Sequence, residues 1–190
     1  GSPLALAQAY ETRARLMQAF QLPEDAFEIV VIKTTGDDAA LIAKDRPLKE
    51  IGGKGLFTKE IEEQLLDGRI DIAVHSMKDM PVAQPDGLVL DCYLPREDVR
   101  DAFVSLAFAG LHALPAGAKV GSSSLRRRAQ LLNKFPHLQV VEFRGNVQTR
   151  MKKLGDGVAE ATFLAMAGLN RLGMDEVART AIAPEDMLPA

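Results

Sequence analysis

The stretch that decides the fold reads Asp71-Ile72-Ala73-Val74-His75-Ser76-Met77-Lys78-Asp79-Met80-Pro81. Its apolar beginning, residues 70–74, is typical of a buried strand, and the sequence becomes polar within three residues. Pro81 cannot donate to a sheet ladder, so we predict that the strand ends before it. Ligands bind at the carboxyl ends of strands in open α/β sheets, and there the stretch places His75, Ser76, Lys78 and Asp79. The alternative is an ordinary polar exit from a strand.

The composition is that of an ordinary soluble globular protein, with 190 residues, 47% hydrophobic, 26% charged and a net charge of −3. The single cysteine, Cys92, excludes an internal disulfide and fits a reducing compartment, so we expect a cytoplasmic protein. Three histidines and one cysteine without ligand spacing predict no metal site. No apolar run approaches the ~18–20 residues that cross a bilayer. The slight acidity argues against nucleic acid as a partner.

The rest of the first half predicts two helices and two further strands. Ser2-Pro3 is a strong helix start, and the helix should run to about Phe20. Residues 27–33 and 88–93 predict strands, and residues 57–66 predict a helix that Gly68 ends. Residues 34–55 form a long connection that contains Gly52-Gly53-Lys54-Gly55. This connection is either a mobile segment that brings a positive charge to a ligand or a flexible surface loop.

The second half alternates strands and helices, with a crossover between domains predicted at residues 94–98. Residues 102–105 begin the second unit, and predicted strands at 119–121, 138–143 and 161–166 are each followed by a helix. The most informative junction is Gly121-Ser122-Ser123-Ser124-Leu125-Arg126-Arg127-Arg128. Serines at a helix start expose backbone N–H groups that attract anions, whereas arginines there oppose the helix dipole. A bound anionic ligand would offset the unfavourable interaction of these arginines with the helix dipole. The alternative is that the arginines form a solvated basic face.

Three successive strand ends therefore carry arginines, which we name the arginine rim: Arg126, Arg127, Arg128, Arg144, Arg150 and Arg171. In a parallel sheet these ends lie on one edge, and each guanidinium can hold an oxyanion with two hydrogen bonds. The residues alone predict a two-domain α/β protein with a cleft, an anion site on one wall and the carboxylate of Asp79 on the other.

At this point the sequence resembles the porphobilinogen deaminase (hydroxymethylbilane synthase) family. The matching motifs run in the family's order along the whole chain. They are Ser2-Pro3-Leu4-Ala5-Leu6-Ala7-Gln8, Gly52-Gly53-Lys54-Gly55-Leu56-Phe57, residues 71–81, Arg96-Glu97-Asp98-Val99-Arg100-Asp101-Ala102-Phe103-Val104, Gly121-Ser122-Ser123-Ser124-Leu125-Arg126-Arg127, Arg144-Gly145-Asn146-Val147-Gln148-Thr149-Arg150 and Ala167-Gly168-Leu169-Asn170-Arg171-Leu172-Gly173.

The resemblance implies two domains like those of periplasmic binding proteins, residues 1–94 with 186–190 and residues 95–185, and a third domain that carries the cofactor. It implies a monomeric transferase of heme and chlorophyll biosynthesis, in the cytoplasm or in an organelle. The reaction joins four porphobilinogen molecules head to tail with release of ammonia. Growth starts on a dipyrromethane cofactor held through a cysteine of the third domain. The implied partners are therefore porphobilinogen and the growing polypyrrole.

The resemblance also assigns roles to individual residues. Asp79 matches the catalytic aspartate, and Lys54 and Phe57 match the mobile lid. The matching cofactor- and substrate-binding positions are Ser2, Ser76, Lys78, Ser122, Ser124, Arg126, Arg127, Arg144, Arg150 and Arg171. Loss of ammonia leaves a cationic azafulvene, which a fixed carboxylate at Asp79 can stabilise while it moves protons. His75 is interpreted as structural.

Both ends of the sequence depart from the family's pattern. The first strand and an arginine expected before Gly1 are absent, and the third domain does not follow Ala190. Cys92 does not match the cofactor cysteine, so we expect these residues alone to make no tetrapyrrole. The alternative function is a non-catalytic module of the same fold that binds polyanions, because a fold does not determine a function.

Overall fold

The computed structural model describes residues 1–32, 34 and 58–190. The chain divides into two compact units, residues 1–95 and 96–190, and is of the mixed α/β class. In the described part of the chain, no helix combines the length and the apolar character that a membrane span requires.

The first unit contains two α-helices in the residues described. Helix α1, Pro3–Phe20, begins as predicted: the Ser2 hydroxyl accepts from the Ala5 N–H at 3.2 Å, and proline stands at the first helical position. Helix α2, Lys59–Leu66, lies within the predicted range, and Gly68 follows it with a φ of +74°. Short 3-10 helices cover Glu24–Ala26 and Met77–Asp79.

The prediction of strands in the first unit is wrong for the residues that the structure describes. Within the part of the chain that the structure describes, residues 27–32, 70–74 and 88–93 enter no hydrogen-bonded ladder. Their apolar side chains are half-buried or exposed and none is buried, with Ile72 at 56% and Val89 at 84% of full exposure. An apolar run gives a segment its preference for extended backbone, whereas a strand also needs a neighbouring strand in register. Residue 33, the end of one predicted strand, lies outside the described residues.

The second unit forms one five-stranded sheet in the order β3-β2-β4-β1-β5. Strand β2 is parallel to β3 and to β4, and β1 is antiparallel to β4 and to β5. The strands are β1 Asp101–Val104, β2 Lys119–Gly121, β3 Gln139–Val141, β4 Ala161–Ala165 and β5 Thr180–Ala181. The strands predicted at 119–121, 138–143 and 161–166 are confirmed as β2, β3 and β4, and their ends differ from the prediction by no more than two residues.

Each of the three parallel strands leads into a helix, as predicted. These helices are α3 Leu125–Lys134 after β2, α4 Val147–Gly155 after β3 and α5 Met166–Leu172 after β4. Two 3-10 helices, Leu111–Ala113 and Asp175–Val177, lie in other connections.

Apolar side chains alternate between the two faces of the sheet. Phe103 and Phe163 belong to one buried cluster with Leu131 of α3, while Val104 and Leu164 belong to another with Leu169 of α5. Because successive side chains of a strand point to opposite faces, both faces of the sheet are covered. This layering fixes the ends of the parallel strands, where the polar residues lie.

Residues 186–190 differ from the expectation that they join the first domain, because they belong to the second unit. Met187 is buried in the same cluster as Phe163. The Leu188 N–H donates to Oε1 of Gln130 at 2.7 Å, and Nε2 of Gln130 donates back to the Leu188 carbonyl at 3.2 Å. Burial of an apolar side chain and two hydrogen bonds hold this segment against α3.

Candidate anion-binding site and catalytic aspartate

The topology brings the predicted arginine-bearing junctions to one edge of the second unit. Strands β2, β3 and β4 run in the same direction, so their carboxyl ends meet there. Strand β1 runs the opposite way, with Asp101 paired to Ala165, so the beginning of β1 lies at the same edge. Part of the arginine rim therefore meets a carboxylate that comes from the antiparallel strand.

Asp101 is a buried carboxylate that holds two arginines. Its Oδ2 accepts from Nη2 of Arg126 at 2.7 Å, and its Oδ1 accepts from Nη2 of Arg127 at 2.7 Å. The side chain of Asp101 is 3% exposed. A buried charge is tolerated only when it is paired and hydrogen-bonded, and here each carboxylate oxygen has its own guanidinium.

Both guanidinium groups are also anchored to main-chain carbonyls. Nη1 of Arg127 donates to the Phe163 carbonyl at 3.0 Å, and Nη1 of Arg126 donates to the Leu188 carbonyl. Each guanidinium has five N–H donors, of which one donates to Asp101 and one to a carbonyl. Three donors therefore remain on each arginine. Nε of Arg127 is buried and has no hydrogen-bond partner within the described residues. The pair is thus fixed in place with donors left for a ligand.

Arg150 adds a third guanidinium, which no carboxylate neutralises in the contacts described. Its Nε donates to the Gly145 carbonyl at 2.9 Å. Burial, and then the positive charge of Arg127, lower the pKa of Arg150 to about 10. We name Arg126, Arg127, Arg150 and Asp101 the arginine cluster. Because the cluster contains three guanidinium groups and one carboxylate, its net charge is two positive charges.

Arg144 and Arg171, the other predicted rim residues with assigned roles, have different surroundings. Arg144 is partly buried, and its Nε lacks a hydrogen-bond partner in the described part of the structure. Arg171 lies on α5, where its charge helps to lower the pKa of Glu97. The larger causes at Glu97 are the Asp98 backbone N–H and the Asn170 side-chain amide. A carboxylate therefore already lies near Arg171.

The serines at the start of α3 organise the backbone of this edge. The Ser124 hydroxyl caps α3 by accepting from the Arg127 N–H at 3.4 Å. The buried Ser122 hydroxyl accepts from the Ser124 N–H at 3.3 Å. Ser123 accepts from the Phe143 N–H at 3.0 Å, which ties this loop to the end of β3. In these contacts the hydroxyl oxygens accept, so their hydrogens remain available to an anion.

In the first unit, Lys78 and Asp79 lie exposed on the 3-10 helix Met77–Asp79. Ser76 precedes it and exchanges hydrogen bonds with Gln8 of α1: Nε2 of Gln8 donates to Ser76 Oγ at 2.9 Å, and Oγ lies 3.3 Å from Gln8 Oε1. This contact fixes the beginning of the segment that carries Asp79. Lys54 and Phe57, the predicted lid residues, lie outside the described residues.

His75 precedes this segment and has a lowered pKa. Burial is the main cause, and it outweighs the opposing effects of the negative charges on Asp79 and Glu62. A histidine with an ordinary pKa near 6.5 is then neutral at pH 7. Its interpretation as a structural residue stays a prediction.

Sequence reasoning missed two residues of these surroundings, Asp101 and Gln8. The signal for Asp101 was present, because a carboxylate directly precedes the apolar run Ala102-Phe103-Val104 and begins a buried strand. Charged residues are almost never fully buried unless they are paired. Gln8 gave no comparable signal, since glutamine on a helix surface is ordinary. Within the described residues, no group of three or more His, Cys, Asp and Glu side chains is placed to hold a metal ion.

The fold and this edge define an α/β protein with a partly buried cationic site suited to an anion that has several oxyanion groups. Comparison with known proteins identifies the family of the chain. The family described as "Porphobilinogen deaminase, dipyromethane cofactor binding domain" matches residues 1–190. The chain belongs to the porphobilinogen deaminase family, whose fold is of the periplasmic-binding-protein-like type.

Three relatives show how far the similarity extends. The chain is 73% identical over 190 residues to the porphobilinogen deaminase of Paracoccus denitrificans, with all of this chain and 59% of the relative covered. It is 60% identical over 192 residues to a chloroplastic porphobilinogen deaminase of Oryza sativa, and 58% over 193 residues to that of Pisum sativum. These matches cover all of this chain and 52% and 51% of the two plant proteins. The chain thus spans somewhat more than half the length of these relatives.

Proposed function

We propose that the protein carrying this chain is a hydroxymethylbilane synthase, a transferase of tetrapyrrole biosynthesis. It joins four porphobilinogen molecules head to tail and releases one ammonia for each. Family membership and the identity of up to 73% to porphobilinogen deaminases support this proposal. The observation that carries it is the arginine cluster, in which Asp101 holds two guanidinium groups and Arg150 adds a third.

The charge of the cluster suits the proposed substrate. Each pyrrole unit of porphobilinogen carries an acetate and a propionate, so every addition brings two more carboxylates. Guanidinium groups bind carboxylates through paired N–H donors, and such charge-assisted hydrogen bonds are about twice as strong as neutral ones. Two net positive charges and the unused donors of Arg126 and Arg127 therefore favour one pyrrole unit at this edge.

The residues present also fit a dipyrromethane cofactor, which carries the same carboxylates. The buried, unpartnered Nε atoms of Arg127 and Arg144 are the donors that such a group would satisfy. Arg126, Arg127, Arg144 and Arg150 would hold it, with the hydroxyls of Ser122 and Ser124. When bound, the cofactor supplies the pyrrole to which the first substrate is joined.

Asp79 is the proposed catalytic residue of the first unit. As ammonia leaves the aminomethyl group, positive charge develops on the substrate, and a fixed carboxylate can stabilise it. The same carboxylate can take up a proton from the pyrrole and return it.

Three further residues of the first unit are proposed to bind the ligand. Lys78, the neighbouring cation, is proposed to pair with a ligand carboxylate, and Ser76 is proposed to bind the ligand while Gln8 holds the Ser76 side chain in place. Ser2 has the same proposed role at the start of α1.

The remaining proposals concern organisation and location. We propose that residues 1–94 supply the catalytic aspartate and that the second unit supplies the anion site. A monomeric, cytoplasmic protein is the expected form. The single cysteine and the higher identity to the bacterial relative than to the two chloroplastic ones support the cytoplasmic location.

The test of the proposed function is ammonia release from porphobilinogen by the purified natural protein, with the intact mass measured alongside. We expect a linear tetrapyrrole with one ammonia for each substrate consumed, and a mass excess of two pyrrole units that reacts with an aldehyde reagent for pyrroles. Binding of porphobilinogen without ammonia release and without a mass excess would instead favour the polyanion-binding module.

The lowered pKa of Arg150 predicts how anion affinity depends on pH. An anion favours the charged guanidinium and raises this pKa above its value of about 10, so binding takes up a proton near that pH. Affinity for pyrophosphate should therefore fall as the pH rises through about 10. Calorimetric titration in two buffers with different ionisation enthalpies measures the proton uptake.

Two variants separate Arg150 from the lysines that titrate in the same range. Arg150→Gln should abolish the proton uptake, whereas Lys152→Gln should retain it, because Lys152 is exposed and pairs with Asp156. Equal proton uptake by wild type and Arg150→Gln would contradict the prediction.

A further inference from the structure

We propose that Asp101 is a positioning residue that presents Arg126 and Arg127 to the ligand and makes the site prefer carboxylates on an extended framework to a compact anion. The identity of the natural ligand rests on the proposed function. The positioning role rests on the contacts of the second unit alone. Asp101 matches none of the positions to which the family resemblance assigns a role.

The first argument concerns geometry. Each oxygen of Asp101 accepts from a different arginine, at 2.7 Å in both cases. Each of these arginines has a second anchor at a carbonyl, Phe163 for Arg127 and Leu188 for Arg126. Two contacts on different nitrogens fix the plane of a guanidinium as well as its position. The remaining donors of both arginines therefore have set directions before any ligand binds.

The second argument concerns charge. A site that only needed to attract anions would be stronger without Asp101, because its carboxylate cancels one of three positive charges. It also repels any ligand carboxylate nearby, and burial of a carboxylate is itself unfavourable. A buried carboxylate among arginines is therefore best explained by orientation. Orientation matters for a ligand whose carboxylates have a fixed spacing, and matters less for a small, compact anion.

The Asp101→Asn variant separates orientation from charge. Asparagine has the same shape but only one acceptor oxygen, and its NH2 group faces a guanidinium. One arginine thus loses its partner, and the net charge of the cluster rises by one. Binding of an extended carboxylate should weaken because the donors are no longer aligned. Binding of a compact anion should stay the same or strengthen, because the positive charge of the cluster has increased.

Two probes measure this difference by calorimetry on the natural protein: inorganic pyrophosphate and a butane tetracarboxylate. For Asp101→Asn we expect about tenfold weaker binding of the tetracarboxylate, the order of one charge-assisted hydrogen bond. We expect pyrophosphate to bind with unchanged or severalfold higher affinity. The KM for porphobilinogen should rise with the tetracarboxylate Kd, and kcat should change less.

Asp98→Asn is the matched control, since Asp98 also pairs with an arginine, Arg100, at 2.7 Å but at the surface. It should leave both affinities unchanged. If Asp101→Asn weakens both probes equally, Asp101 only supports the fold, and the proposal is wrong. Stronger binding of both probes also overturns the proposal, because the net charge of the cluster alone would then determine the affinity.

Asp101→Ala gives an independent measurement, because it leaves room for a small carboxylate. Added formate should restore tetracarboxylate binding in this variant, whereas uncharged formamide should not, and formate should only compete in the wild type. Absence of rescue in a folded Asp101→Ala protein overturns the proposal; if that variant does not fold, the two probes on Asp101→Asn decide alone. Failure of wild type to release ammonia would disprove the proposed function but leave the probe result standing.

Discussion

Replacement of Asp79 with asparagine should lower kcat for ammonia release by about 10²–10⁴-fold, the range that general acid–base catalysis contributes. The amide keeps the shape of the carboxylate but cannot take up a proton or balance a developing positive charge. KM should change little, because the binding groups of the second unit are untouched. Asp79 is exposed on its 3-10 helix, so the substitution should not destabilise the fold.

Asp86→Asn is the matched control for this experiment. Asp86 is another exposed carboxylate of the same unit, and no role is proposed for it. Its substitution should leave kcat within about twofold of wild type, as expected for surface changes. Initial rates of ammonia release and the Kd of porphobilinogen measured on both variants give the answer. If Asp79→Asn turned over as fast as Asp86→Asn, Asp79 would not be catalytic.

The second unit could be predicted from the sequence because its signals are local. After β2 and β3, a side chain that caps the next helix follows within five residues, Ser124 in one case and Asn146 in the other, and an amphipathic helix begins there. The strands then find their partners inside the same unit. In the first unit the helices were predicted by Ser2-Pro3 and Gly68, but the apolar runs form no ladder among the described residues. The strand propensity of a segment depends on its own residues, whereas the pairing of strands depends on residues elsewhere in the chain.

The same difference explains what could be predicted of the site. Arg126, Arg127 and Arg150 were found because each lies near the start of a helix that follows a predicted strand. Asp101 was not found, because its place beside them depends on the antiparallel pairing of β1 with β4. That pairing joins residues 64 positions apart, from 101 to 165, and no local pattern sets its register. The roles of Asp79 and the arginines in catalysis and binding stay predictions.

Gly121 is a residue of this edge at which a single added methyl group should strongly lower stability. A Cβ at Gly121 would lie 2.3 Å from Cγ of Phe143 and within 2.7 Å of both Cδ atoms. Phe143 is fully buried, at 0% exposure, so the ring cannot move aside without disturbing the cluster around it. We expect Gly121→Ala to lower the free energy of unfolding by about 3 kcal/mol, the upper end of the usual overpacking range. Urea denaturation of the natural protein measures this change.

The same substitution should also weaken the anion site, because Gly121 ends β2 and Phe143 lies two residues beyond the end of β3. Gly121 precedes Ser122, and Phe143 precedes Arg144 and donates its N–H to Ser123. A shift of the ring therefore moves both junctions apart, and pyrophosphate affinity should fall along with stability. Gly110→Ala is the control, since Gly110 has extended backbone and open space around an added Cβ. Equal stability of the two variants would show that the contact of Gly121 with Phe143 does not hold these strand ends together.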